Sequence, residues 1–195
     1  PVTGTPQGGL VSPVLANVYL HYALDLWFER VVKAHCQGRA YMVRYADDWV
    51  CAFQYEADAL RFYRTLPKRL GKFGLDVADE KTRCLPFSRH RLGKGERFIF
   101  LGFEFFWDED RKKLPRVKRR TAPKTLQRAC RRIKEWIKDN RHQSKRDFIG
   151  GLNRRLLGHY HYFGIIGNAQ AINRFFRWAM TSTFKWLNRR GGKRN

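Results

Sequence analysis

The sequence predicts an α+β fold: a mixed helix and strand part over residues 1–115, followed by an all-α part of three helices over residues 116–195. Two short runs rich in β-branched and aromatic residues lie between two segments with helical periodicity, which indicates a helix, hairpin, helix order. Three further helical segments follow Pro123. Hydrophobic residues make up 43% of the 195 residues, so there are enough apolar side chains for a core.

The first part opens with a glycine-rich loop and a long helix. Ser12-Pro13 supplies a capping residue followed by proline at the first helical position, and apolar residues recur at helical spacing to about Lys33. Residues 41–45 and 49–53 are predicted to pair as a β-hairpin whose tip is Ala46-Asp47-Asp48.

A second helix is predicted from Glu56 to about Gly74, with a kink at Pro67. A strand around 75–77 and an aromatic strand or hairpin arm over 97–107 follow, with a turn at 108–111. The order of these elements is typical of an α+β layer.

Beyond the basic run at 118–120, the pattern indicates helices over roughly 124–140, 145–165 and 169–190. Ser144 and Asp147 have the spacing of a capping box at the start of the second of these helices. The three helices together predict a small bundle with basic faces.

Charge is divided unevenly along the chain, whose formal net charge is +23. Residues 1–110 carry 15 basic and 14 acidic side chains, whereas residues 111–195 carry 25 basic and 3 acidic ones. A near-neutral body joined to a strongly cationic region suggests a nucleic-acid partner. Candidates for phosphate contacts are the basic residues of the predicted helical part: Lys118, Arg119, Arg120, Arg128, Arg131, Arg132, Lys134, Arg154 and Arg155.

No apolar run is long enough for a membrane helix, and no charged-then-apolar leader opens the chain. The four cysteines lie far apart without C-x-x-C spacing, which favours free or buried thiols over a zinc site. We therefore expect a soluble protein of the cytoplasm.

Asp47 and Asp48 are adjacent carboxylates at the predicted hairpin tip. Neighbouring anions repel each other, so a tight apolar hairpin that presents both indicates an offsetting cation. Mg²⁺ takes oxygen ligands and commonly uses one or two protein carboxylates together with substrate phosphates. The alternative for an isolated Asp-Asp is an ordinary exposed turn, where aspartate is favoured.

The surrounding motifs favour the metal site: residues 5–13, 45–48, 80–82 and 100–103 resemble, in this order, four motifs of reverse transcriptases. Tyr45-Ala46-Asp47-Asp48 resembles the Y-x-D-D box, and residues 5–13 resemble the motif before it. Glu80-Lys81-Thr82 and Phe100-Leu101-Gly102-Phe103 resemble the next two boxes. The amino-acid sequences of these motifs and of residues 152–190 are most similar to those of bacterial group II intron-encoded proteins. In that family a polymerase palm is followed by a helical thumb, or maturase X domain.

This resemblance implies residue roles. Asp47 and Asp48 match metal ligands for two Mg²⁺ ions, and Lys81 matches a catalytic lysine that faces the triphosphate. The residues that match nucleotide or template contacts are Gln7, Gly8 and Tyr45, and those that match the primer grip are Phe100, Leu101 and Gly102.

The implied protein is an RNA-directed DNA polymerase, a nucleotidyltransferase that takes an RNA template, a DNA primer and dNTPs. Its thumb is expected to bind the structured intron RNA that encodes it and to assist splicing. The family site needs a third carboxylate from a strand before the Gln7-Gly8 loop, and this sequence starts after it. We therefore expect the 195-residue chain alone to lack DNA synthesis.

Two alternatives remain open. A retron-type or CRISPR-associated reverse transcriptase shares the chemistry and differs in the sequences that flank its gene. A non-catalytic RNA-binding splicing cofactor would keep the fold without polymerisation, although a pure binder gains nothing from two anions beside its nucleic-acid track.

Overall fold

The computed structural model describes residues 11–78, 80–93 and 95–189, and its mixture of helices and strands confirms the α+β prediction. The helices are α1 (Ser12–Leu20), α2 (Lys33–His35), α3 (Glu56–Gly71), α4 (Pro123–Asn140), α5 (Lys145–Phe163) and α6 (Ala169–Leu187). The strands are β1 (Ala40–Tyr45), β2 (Asp48–Phe53), β3 (Phe98–Phe100), β4 (Phe103–Glu109) and β5 (Pro115–Thr121). No helix among the described residues is both long enough and apolar enough to span a bilayer.

The chain divides into two compact units, residues 1–86 and residues 87–195. The division at 115/116 that the sequence predicts coincides with the start of β5, within the second unit. That boundary rests on the change to a basic, helical sequence beyond Pro115 rather than on compactness, and it stays a prediction.

In the first unit, the predicted hairpin is confirmed. β1 and β2 pair antiparallel from Ala40 opposite Phe53 to Tyr45 opposite Asp48. One face of this ribbon packs on α3 and on the helical segment before it, because period-two alternation sends every second side chain inward. The core of the unit consists of buried apolar side chains: Ala23, Leu24, Phe28, Ala40, Phe62, Leu66 and Leu70.

The helical backbone between residues 12 and 35 contains two π-helical segments, His21–Asp25 and Phe28–Val32, which the sequence did not predict. The buried residues of this region lie in those segments, whereas α1 has none. Val14, Leu15 and Val18, which the periodicity placed on an apolar face, are 50–60% exposed. Helical spacing identified the helix, but the described residues do not cover that face.

The strand predicted around 75–77 is wrong. Leu75 and Val77 are half-buried against the core of the first unit, but the segment pairs with no strand among the described residues. Alternate apolar side chains of this segment are buried, which gives the alternation expected of a strand, but the segment forms no hydrogen-bonded ladder with another described segment. α3 is confirmed, although it ends at Gly71, and it continues through Pro67.

In the second unit, an antiparallel sheet has the order β3-β4-β5. The aromatic hairpin arm is confirmed as β3 and β4, but β5 was missed, because Pro115–Thr121 is basic and lacks apolar alternation. Its pairing with β4 therefore depends on the neighbouring strand and not on its own propensity. The turn between β4 and β5 lies at 110–113, where the Asp110 carboxylate accepts hydrogen bonds from the backbone N–H groups of Lys112 and Leu114.

The three predicted helices of this unit are confirmed as α4, α5 and α6. Ser144 caps α5, since its hydroxyl accepts the Asp147 backbone N–H at 3.2 Å. The buried core beneath the helices contains Leu126, Ile133, Ile137, Phe148, Leu152, Leu156, Phe175 and Ala179.

Candidate functional site

The tip of the first hairpin is a two-residue turn, Ala46-Asp47, and Asp48 is the first residue of β2. Ala46 has φ of +53°, a left-handed conformation that is uncommon for residues other than glycine. A tight turn of this kind presents consecutive side chains at the end of the ribbon. Asp47 and Asp48 are therefore adjacent at its outer end.

Both carboxylates are exposed, and neither has a hydrogen bond or an ion pair with another described residue. The nearest guanidinium in sequence, that of Arg44, is directed to Asp25 instead. The oxygen atoms of Asp47 and Asp48 are thus available to a hard cation, and two carboxylates fit the protein share of a Mg²⁺ site that also uses substrate phosphates. No group of three or more metal-ligating side chains occurs in the described part of the chain.

Tyr45 is 66% exposed and lies directly opposite Asp48 on the ribbon, so both side chains occupy the same face. The structure therefore brings Tyr45, Asp47 and Asp48 together at one end of the hairpin. Gln7 and Gly8, the other residues matched to nucleotide or template contacts, lie outside the described residues.

Lys81 is exposed in a turn in which its backbone N–H and that of Thr82 both donate to the Ala78 carbonyl. No contact within the described residues joins its ammonium group to Asp47 or Asp48. Its catalytic role stays a prediction.

Phe100, Leu101, Gly102 and Phe103 form a tight β3-β4 turn, with Phe100 paired to Phe103 and with φ of +49° at Leu101 and +78° at Gly102. Both carbonyls of the turn accept a hydrogen bond: the Ala122 N–H donates to Gly102 at 2.9 Å, and the Tyr162 hydroxyl donates to Leu101 at 3.0 Å. The residues matched to the primer grip are therefore bound to the residue that precedes α4 and to α5.

The basic run on β5 is divided between the two faces of the sheet. Lys118 donates to Asp108 at 2.8 Å, which lowers the pKa of that carboxyl below its usual value, and Arg120 pairs with Glu104 at 2.7 Å. Arg119 points to the opposite face, since strand side chains alternate. The three charges consequently do not form one cationic surface.

The basic residues of the helices remain exposed. Arg128, Arg131 and Arg132 share one face of α4 at i, i+3 and i+4 spacing, and Lys134 is exposed on the same helix. An open groove of about 720 Å³ between α4 and α5 is lined by polar and basic residues: Asn140, Gln143, Ser144, Arg146, Asp147, Arg154 and Arg155, with Trp136, Gly150 and Gly151. The Arg155 guanidinium lies 4.2 Å from the centre of the Trp136 ring. Arg146 was not among the predicted RNA contacts.

Sequence reasoning also missed Asp25 and Arg44. Arg44 occupies the face of β1 that packs inward, where Met42 precedes it by two residues. The alternation of β1 already places a charged residue at an inward position, and a buried charge needs a partner. This signal in the sequence could have indicated an ion pair. The partner is Asp25, and the paired Arg44 guanidinium holds the pKa of that carboxyl below its usual value.

Two family models match the sequence. The model described as reverse transcriptase (RNA-dependent DNA polymerase) matches residues 1–105, more than half of the chain. The model described as group II intron, maturase-specific domain matches residues 126–195. No curated protein gives a significant match. The exposed aspartates at the hairpin tip lie in the region matched by the first model, and most of α4 with all of α5 and α6 up to Leu187 lies in the region matched by the second. The chain belongs to the reverse transcriptases of the group II intron-encoded type, with a maturase-specific region.

Proposed function

We propose that this chain supplies part of the active site of an RNA-directed DNA polymerase that uses two Mg²⁺ ions, and that its basic helices bind the intron RNA and assist its splicing. The family membership supports the polymerase class and the nucleic-acid partner. The observation that carries the catalytic proposal is the pair of exposed, unpartnered carboxylates of Asp47 and Asp48 among the described residues.

The proposed reaction joins the primer 3′-oxygen to the α-phosphorus of a dNTP, breaks the bond to pyrophosphate and releases the 3′-hydroxyl proton. Bound Mg²⁺ would activate the attacking oxygen and stabilise charge on the leaving group. Asp47 and Asp48 would supply oxygen ligands from the hairpin tip, together with oxygens of the substrate phosphates. Lys81 would place a positive charge near the leaving pyrophosphate.

The decisive variant is Asp47→Asn in the full-length protein. It keeps the size of the side chain and removes the charge that a metal ion needs. We expect DNA synthesis to fall by about 10²–10³-fold, because metal stabilisation of a transition state is worth several kcal/mol. Primer extension measures the loss, and filter binding measures the affinity for RNA, which should stay unchanged.

Asp76→Asn is the matched control, since Asp76 is exposed in the same unit and has no hydrogen bond or ion pair among the described residues. Its synthesis rate should equal that of the wild type. Unchanged synthesis in Asp47→Asn would remove Asp47 from the mechanism. A wild-type protein that assists splicing but never extends a primer would instead support the non-catalytic cofactor.

The RNA-binding proposal rests on the exposed arginines of α4 and on the groove beside α5. The arginines Arg128, Arg131 and Arg132 have no carboxylate partner among the described residues, in contrast to Lys118 and Arg120. Phosphate contacts of this kind provide affinity with little sequence selectivity. We therefore favour the α4 face over the β5 strand as the RNA surface.

The triple variant Arg128→Gln/Arg131→Gln/Arg132→Gln tests this surface. Each lost phosphate contact reduces the slope of log affinity against log salt by about 0.7–0.9. We expect a slope smaller by about 2–3 and weaker RNA binding at low salt. Arg64→Gln/Lys68→Gln on α3 is the control, because both residues are exposed cations in the first unit. Equal slopes for the triple variant and the wild type would exclude this face.

The match of residues 126–195 to a group II intron maturase-specific domain favours the intron-encoded type over a retron-type or CRISPR-associated enzyme. Splicing assays with the flanking intron RNA test that choice. Splicing that proceeds equally with and without the protein would argue against the maturase part of the proposal.

A further inference from the structure

The side chain of Arg44 links the hairpin to the helical segment that packs beneath it. Its Nε and Nη2 donate to the two carboxylate oxygens of Asp25 at 2.7 and 2.6 Å. The side chains are only 12% and 23% exposed, so the pair is largely shielded from water. A bidentate arginine-carboxylate pair fixes the orientation of the guanidinium as well as its position.

The same guanidinium reaches the turn that bears the aspartates. Its Nη1 donates to the Ala46 carbonyl at 2.8 Å and to the Asn17 side-chain oxygen at 2.9 Å. That carbonyl belongs to the peptide group joining Ala46 to Asp47. Four of the five N–H donors of Arg44 are therefore used, and one of them holds the main chain immediately before the first candidate metal ligand.

The backbone at this point needs such support. Ala46 has φ of +53°, and residues in this region persist only where surrounding contacts hold them there. Asp25 is the last residue of the π-helical segment His21–Asp25, a type of segment that recurs at functional sites. The turn conformation is thus tied to a helix that contributes buried residues to the core.

We propose that Arg44, oriented by Asp25, is a positioning residue that sets the main chain of the Ala46-Asp47 turn and thereby the placement of the Asp47 and Asp48 carboxylates for divalent metal. This inference rests on the proposed function of the two aspartates. It assigns no contact between Arg44 and the substrate.

The test uses Arg44→Lys in the full-length protein. Lysine keeps the charge but cannot bind Asp25 through two parallel N–H groups and hold Ala46 at the same time. Loss of a residue that orients metal ligands typically costs about 10–100-fold in metal affinity or activity. We expect the Mg²⁺ concentration for half-maximal primer extension to rise by about tenfold or more, with the KM for primer-template unchanged.

A second readout does not depend on activity. Hydrogen exchange of the peptide covering residues 45–49 should accelerate by about tenfold in Arg44→Lys, because the turn loses its anchor. Direct titration with Mn²⁺, followed by electron paramagnetic resonance, should show a matching loss of affinity. Asp25→Asn, which keeps the shape of its side chain, should shift all three readouts in the same direction. It replaces Arg44→Lys in the test if that variant does not fold.

Arg61→Lys is the matched control. Arg61 pairs with the buried Asp58 at 2.9 Å in the same unit and makes no contact with the hairpin turn. It should lower stability without changing Mg²⁺ dependence or exchange at residues 45–49. Equal Mg²⁺ dependence and equal exchange in Arg44→Lys and the wild type would overturn the positioning role, even where Asp47→Asn is inactive. Full activity of Asp47→Asn would instead overturn the proposed function and this inference with it.

Discussion

His159 is a half-buried imidazole on α5 whose ring stacks on Phe175 at 3.8 Å between centroids. Its Nε2 has no hydrogen-bond partner in the described part of the chain. Burial lowers the pKa of His159 to about 4, so the ring is neutral at pH 7. His159 therefore packs against neighbouring side chains of the second unit.

We predict that His159→Phe stabilises the protein, and more so in acid. In the unfolded chain the histidine pKa is near 6.5, so between pH 6.5 and 4 the unfolded state binds the extra proton and the free energy of unfolding falls. Phenylalanine does not bind this proton, so the free energy of unfolding no longer falls for this reason. It also removes the buried nitrogen that lacks a hydrogen bond. Thermal unfolding should show a Tm difference that grows from pH 7.5 to pH 5, and parallel Tm curves would contradict it.

At the scale of elements, α4 and α5 approach closely at Gly151. A Cβ atom there would lie 2.7 Å from the Trp136 ring, which also stacks on Phe148. At Gly150, one residue earlier on the same helix, a Cβ atom would meet no side chain and no other element of the described structure within 4 Å. Substitutions at the two neighbouring glycines therefore distinguish the effect of close packing from the effect of helix propensity.

Gly151→Ala should destabilise the protein by about 1–3 kcal/mol, because overpacking forces the tryptophan ring or the helix to move. Gly150→Ala should stabilise it by up to about 1 kcal/mol, since alanine is the better helix former. Urea denaturation of the two variants measures both effects. Equal free energies of unfolding would show that α4 and α5 do not meet at Gly151.

The turn at Leu101-Gly102 is stabilised by contacts with α5. The ring of Tyr162 on α5 stacks on Phe103, and its hydroxyl donates to the Leu101 carbonyl. Two consecutive residues with positive φ need such contacts when one of them is leucine.

Tyr162→Phe should lower the free energy of unfolding by about 0.5–1.5 kcal/mol, the usual net worth of one hydrogen bond, while the ring contact remains. Tyr160→Phe is the control, because the Tyr160 hydroxyl has no hydrogen bond among the described residues. Urea denaturation compares the two. A loss of equal size in both variants would mean that the hydroxyl of Tyr162 does not stabilise the turn.

At the scale of the whole molecule, the net charge of +23 exceeds what solubility requires, since small domains are soluble at a net charge of magnitude about 2–8. If six to ten cations contact phosphates together, RNA affinity should fall by about 10³–10⁵-fold between 50 and 200 mM salt. Binding measured across this range tests the prediction. An affinity for structured RNA that does not change with salt would contradict it.

Local patterns were sufficient for much of the fold. The hairpin and helices α3 to α6 were predicted close to their observed ends, because periodicity and caps act within a few residues of the chain. β5 and the exposure of α1 were not predictable in this way, since pairing and burial depend on which other segments lie alongside. The strand expected around 75–77 failed for the same reason.

The order of the amino acids is enough to establish the family motifs, the adjacency of Asp47 and Asp48, and the concentration of positive charge after residue 110. These are properties of chain order and composition. Tertiary structure alone decided that Arg44 pairs with Asp25 rather than with the tip aspartates. It also decided that Lys118 and Arg120 are engaged by carboxylates while the arginines of α4 stay exposed. Electrostatic partnership depends on distance in space, and residues far apart in the chain acquire their distances only when it folds.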